Sequence, residues 1–88
     1  MNGGKRSYIC PVCGFTGLTV PPYDELDCPS YEICPCCGTE FGYDDASLTH
    51  AELRKRWIQD GMKWYSRHSG PPRGWNAQQQ LNKAKMVD

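Results

Sequence analysis

The pattern of apolar and polar positions changes period midway along the chain. In the first half, "SYICPVCGFTGL" and "SYEICPCCGTEF" repeat one plan. Each has serine-tyrosine, a short β-prone run, a Cys-Pro-x-Cys-Gly turn and then an apolar or aromatic residue. So short a repeat signals two equivalent turns around one site, not a solenoid. Between them "TVPPYDELDCPS" reads as an irregular loop, because Pro21 and Pro22 fix φ and withhold two amide donors. The second half turns helical. Thr49 and Glu52 stand as N-cap and N3 of a capping box. At about 100° per residue, Leu53, Trp57, Ile58, Gly61, Trp64 and Tyr65 share an arc of about 140°. Glu52, Lys55, Arg56, Gln59 and Lys63 lie opposite. The spacing predicts one long helix running to about Ser66. Gly61 costs about 1 kcal/mol against alanine there, which suggests close approach of another backbone. "SGPPRGW" ends that helix, and Asn76 caps a short second one through Ala84.

Composition adds a need for a staple. Eighty-eight residues make one small domain, and the 39% hydrophobic content includes six cysteines, so the ordinary apolar supply is thin. The opening "MNGGKRSYICPVCG" has no apolar core of a secretory signal, and no apolar run approaches the roughly 18 residues of a membrane helix. A cytoplasmic protein with reduced thiols and no membrane is expected, which favours metal over disulfides. Charge is divided. Two basic residues face seven acidic ones up to Leu48, and eight face three from Thr49 onward. Two such halves most simply attract each other within one fold.

Cys10, Cys13, Cys34 and Cys37 carry the chemistry. Two Cys-x2-Cys turns twenty residues apart fit a four-thiolate metal site. Two cysteines three apart on a tight turn can both reach one tetrahedral ion at about 2.3 Å. Gly14 and Gly38 tolerate positive φ, so nearby amides can face the sulfurs. The metal expected is one structural zinc, with iron as the alternative, since both accept tetrahedral sulfur. Cys36 occupies the variable position that Val12 fills in the first turn, and is read as a small buried apolar residue. Cys28 is read as packing or a spare thiol. The alternative is that Cys28 and Cys36 form a redox pair or reach a second metal. His50 and His68 are read as solvent-facing residues at helix ends. Asp44 and Asp45 point to opposite faces of an extended chain, so they are read as a solvated turn rather than a catalytic pair.

These readings combine into an α+β fold: a small zinc-ribbon-like pair of β-hairpins with two knuckles over residues 7–45, then one long and one short helix over 49–85. Residues 1–6 are expected to be a disordered lead-in to a single domain spanning 1–88.

The knuckles resemble those of rubredoxin, which is why iron stays open, although the long loop and helical second half favour zinc. "CPVCG", "PSYEICPCCGTEFGYDD" and the later "PPRGW" resemble the small bacterial cysteine-rich proteins named for a CPCC motif. The resemblance covers roughly residues 8 to 80 and implies metal binding and a bacterial source, not an activity. No catalytic constellation is evident, so the chain is not expected to be an enzyme. Two roles remain. One is a protein-interaction or accessory module, of immunity type for example, with "KWYSRHSGPPRGW" supplying aromatic and arginine anchors. The same tryptophans could instead form the core between helix and knuckles. The other is nucleic-acid binding through Arg54, Lys55, Arg56, Lys63, Arg67 and Arg73, against which the acidic half works.

Overall fold

Both Cys-Pro-x-Cys-Gly turns adopt one conformation in the computed structural model, which describes residues 8–86. In the first, Gly14 N–H donates to the Cys10 carbonyl (2.9 Å) and Cys10 N–H to the Phe15 carbonyl (2.8 Å). In the second, Gly38 N–H donates to Cys34 (2.8 Å) and Cys34 N–H to Thr39 (2.9 Å). Both glycines take positive φ, +85° and +82°. A side chain at either position would also collide. A Cβ on Gly14 would lie 2.8 Å from Ala84 Cβ, and one on Gly38 would lie 2.5 Å from the Tyr65 ring. The expected lead-in over residues 1–6 lies outside the described residues.

The predicted β-hairpins do not form. Among the described residues there is no strand, only two isolated antiparallel bridges, Tyr23 with Pro29 and Ile33 with Glu40. The fold is therefore not a β-hairpin zinc ribbon but a small assembly of turns and two helices. The cause is local. Each knuckle uses its flanking backbone to close the turn, and prolines withhold further donors. Asp27 (φ 61°) and Tyr31 (φ 60°) then break the extended run on either side of Pro29.

The helices are α1, His50–Gln59, and α2, Ala77–Lys83, preceded by a single 3-10 turn, Asp44–Ala46. Thr49 caps α1 with the full capping box: its hydroxyl accepts from Glu52 N–H, and Glu52 accepts from Thr49 N–H at 2.8 Å. Asn76 caps α2, accepting from Gln79 N–H at 2.9 Å. The long helix predicted to Ser66 stops at Gln59. Gly61 N–H donates to Ile58 (3.0 Å) and Met62 N–H to Trp57 (2.9 Å), with Gly61 at φ +99°. That is a Schellman ending, in which the glycine reverses the chain instead of packing inside the helix. α2 ends the same way with a non-glycine at the turning position. Lys85 N–H donates to Asn82 (3.0 Å) and Met86 N–H to Leu81 (2.9 Å), with Lys85 at φ 58°.

Freed from the helix, Trp64 and Tyr65 cover the knuckles from a loop. Tyr65 N–H donates to Cys36 (3.0 Å) and Ser66 N–H to Pro35 (2.8 Å). Phe15, Trp64 and Trp75 stack edge to face, with both centroid separations 5.3 Å. All three indole N–H groups have acceptors: Lys63 carbonyl for Trp57, Ser69 carbonyl for Trp64 and Gln80 Oε1 for Trp75. The buried core is Cys10, Val12, Cys13, Cys34, Cys36, Phe41, Trp57 and Leu81. Four of those eight are cysteines. No helix among the described residues is long and apolar enough to cross a membrane.

Candidate metal centre

The two turns face each other so that the Sγ atoms of Cys10, Cys13, Cys34 and Cys37 all lie within 4.8 Å of one another. Two contacts cross between the turns, Cys10 to Cys37 and Cys13 to Cys34, each at 3.7 Å. A tetrahedron with metal–sulfur bonds of about 2.3 Å has edges of about 3.8 Å. The spacing is far outside a disulfide, in which the sulfurs are about 2.05 Å apart, and all six cysteines are free thiols. The four sulfurs therefore fit a tetrahedral thiophilic ion.

Their surroundings suit that use. Val12 N–H points at Cys10 Sγ (3.4 Å). Cys37 bonds to Thr39 Oγ1 (3.2 Å), and a Cys37 thiolate would accept from that hydroxyl. Crowding sets the proton affinities. The thiols of Cys10, Cys13 and Cys34 hydrogen-bond to Cys37 and hold it well below the usual thiol range, against the effect of burial. Cys13 is pushed up, first by its hydrogen bond to Cys10 and then by the remaining thiols. Four thiols this close resist being charged together. A divalent cation removes that resistance, because it replaces the shared protons with its own charge.

The second half of the chain holds the site shut. Arg54 of α1 donates from Nε to the Val12 carbonyl (2.8 Å) and from an Nη to the Pro11 carbonyl (2.9 Å). Gln80 of α2 donates to the Cys13 carbonyl (3.0 Å) and to Cys36 Sγ (3.3 Å), tying one turn to the other. Sequence reasoning missed both roles. In the sequence Arg54 stands among the candidate nucleic-acid-binding cations, and a mid-helix glutamine gives no one-dimensional signal.

Cys36 is fully buried, as is Val12 at the matching position of the first turn. Cys28 is exposed in the proline-rich loop and stands outside the thiol cluster. Asp45 departs from the solvated-turn reading. Its side chain is 2% exposed and accepts from His50 Nε2 at 2.9 Å, from Gly42 N–H at 2.7 Å and from the Tyr23 hydroxyl. His50 is thus paired at the start of α1 instead of facing solvent freely. Asp44 caps the Glu40 amide at 2.8 Å.

Comparison with known proteins gives relatives without an assigned role. The chain is 34% identical to the uncharacterised protein YoaQ of Bacillus subtilis (strain 168), in a match covering 66% of this chain and 63% of that protein. It is 36% identical to the uncharacterised protein YozI of the same organism, covering 66% of this chain and 62% of that one. The chain thus spans less than two thirds of the length of either relative. No family model matches it, and no solved structure does.

Proposed function

We propose that this is a small bacterial protein whose fold is held by one structural zinc ion on Cys10, Cys13, Cys34 and Cys37, and which acts as a protein-interaction or accessory module. The observation that carries the metal reading is the pair of 3.7 Å sulfur contacts between the two turns. Four thiolates close the coordination shell, leaving no position for substrate, so the role is structural rather than catalytic. Reduced thiols suit the cytoplasm. Native mass spectrometry with elemental analysis tests the site. One zinc per chain is expected. One iron in a red preparation would move the reading to rubredoxin-like electron transfer, and two metals or three disulfides would overturn it.

The interaction role draws on a different surface from the aromatic segment. Trp57, Trp64 and Trp75 are spent on internal hydrogen bonds and stacking, whereas Leu26 (84% exposed), Tyr43 (71%) and Tyr31 (62%) are open to solvent in the acidic half. Exposed aromatic and aliphatic side chains amid acids suit a protein partner better than a nucleic acid. Arg54, engaged with the first knuckle, is also withdrawn from any phosphate-binding set. Affinity capture from the host with the zinc-loaded chain, repeated with Leu26, Tyr31 and Tyr43 changed to serine, tests this. Capture that survives the triple change would move the interface elsewhere. A salt-dependent shift of unspecific DNA or RNA would favour the nucleic-acid reading.

A further inference from the structure

The four thiols of the cluster are not equally protected. Cys10, Cys13 and Cys34 are 0% exposed, while Cys37 is only partly buried. Cys37 also borders two open depressions, one of about 910 Å³ beside Trp57 and Trp64 and one of about 230 Å³ beside Thr39 and Arg56. Its cross-turn neighbour at 3.7 Å is Cys10. The other close pair, Cys13 with Cys34, has the same separation but no outlet to solvent. An accessible thiolate with a second thiol behind it is the arrangement that redox-sensitive cysteines share.

We propose that Cys37 is an oxidation site through which a small hydroperoxide opens the metal centre, forming a Cys10–Cys37 disulfide and releasing the ion. This rests on the metal reading above. In the first step the Cys37 thiolate attacks one peroxide oxygen, the O–O bond breaks, and hydroxide leaves. The sulfur loses two electrons and becomes a sulfenic acid, while the peroxide is reduced. In the second step the Cys10 thiolate attacks Cys37 Sγ, the S–S bond forms, and the S–O bond breaks. The departing hydroxide takes up a proton as water. Overall, two thiolates, one hydrogen peroxide and two protons give one disulfide and two waters. The ion keeps only Cys13 and Cys34, too few ligands to hold it.

Thr39 tunes the rate of the first step. Its hydroxyl, on a residue only 5% exposed, lies 3.2 Å from Cys37 Sγ and draws electron density from a thiolate there. Removing that hydrogen bond makes the sulfur a better nucleophile, by roughly two- to tenfold in rate for one ordinary net hydrogen bond.

The test uses the full chain with Cys28→Ser, which removes the exposed thiol outside the cluster. Metal content is fixed by native mass spectrometry before any oxidant is added. Hydrogen peroxide is then titrated in while a chromogenic chelator reads free zinc and peptide mapping reads the disulfides. The expected result is one zinc released per Cys10–Cys37 disulfide, with Thr39→Val faster by that two- to tenfold. A first disulfide between Cys13 and Cys34, or one using Cys36, would overturn the proposal. So would zinc release without any disulfide, or a Thr39→Val rate equal to that of the parent. A chain isolated without metal would refute the metal reading separately, and the same mapping would still decide which thiols pair.

Discussion

Asp45 joins three parts of the chain through one buried carboxylate: the proline-rich loop through Tyr23, its own turn through Gly42 and the start of α1 through His50. Burial opposes its charge, but the bonds from Tyr23, His50 and Gly42 outweigh it and hold the carboxyl below the usual carboxylate range. The stability Asp45 contributes is complete above the ordinary carboxyl value of about 3.9. It is lost as pH falls through the depressed one. Tyr23 is the opposite case. Burial first, then the bond to Asp45, pushes its phenol up to about 12. Its contribution holds below the ordinary value of about 10 and disappears as pH rises through the raised one. Tyr23→Phe should lower stability by about 1.5–3 kcal/mol at neutral pH, as expected for a bond to a charged group. Urea titration of the loaded protein reads that loss. The same change should delete a phenolate that forms at about pH 12 in an ultraviolet pH titration, and loss of one forming at the ordinary value of about 10 would contradict the assignment. Among the thiols, Cys34→Ser should strip the metal, whereas Cys36→Val should keep one ion per chain, since Val12 already fills the matching position. The four clustered cysteines were legible because ligand spacing is a local property of a turn. Asp45 was not, because its Tyr23 partner is 22 residues away and adjacent acids look the same whether solvated or buried.

At the scale of elements, both helices close on the same backbone device with different residues at the turning point. A Cβ on Gly61 would make only ordinary van der Waals contact, the nearest atom being Lys63 Cε at 3.5 Å. Gly61→Ala should therefore cost about 1–2 kcal/mol for conformation alone, the penalty of a left-handed L-residue. Lys85 already bears that penalty at φ 58°, so Lys85→Gly should raise stability by about 1 kcal/mol. Thermal unfolding of the two variants beside the parent checks both signs. Here the sequence was half legible. Capping residues announced where each helix begins, because a cap and its amide lie within three positions. The end of α1 was hidden because Gly61 also fell on the apolar arc, and periodicity carried the helix past it. The missing strands have a similar origin: a β-prone run is only a strand if a partner pairs with it along its length, and the turns consumed that pairing.

Across the whole molecule, half of the buried core residues described are cysteines, and the helices are short. Ten and seven residues are below the roughly 12–15 at which an isolated helix holds in water. Chelating the metal should therefore remove the near-ultraviolet tryptophan signal and most of the far-ultraviolet helix signal in one transition. Helicity that persists at full strength would mean that the two halves fold independently. Across the charge division, Arg54 of the basic half donates to backbone carbonyls of the first knuckle and not to an acidic side chain. Gln80, finally, reaches Cys13 across 67 positions and Cys36 across 44. A chain emerging from the ribosome exposes both turns before this residue itself emerges, and nascent domains assemble from the N-terminal side. The ion can thus be captured in an open half-built cradle and enclosed afterwards, which separates loading from retention. Gln80→Ala should leave the equilibrium metal content near one per chain while hastening isotopic zinc exchange in the finished protein, as though synthesis had paused one step short of the lid.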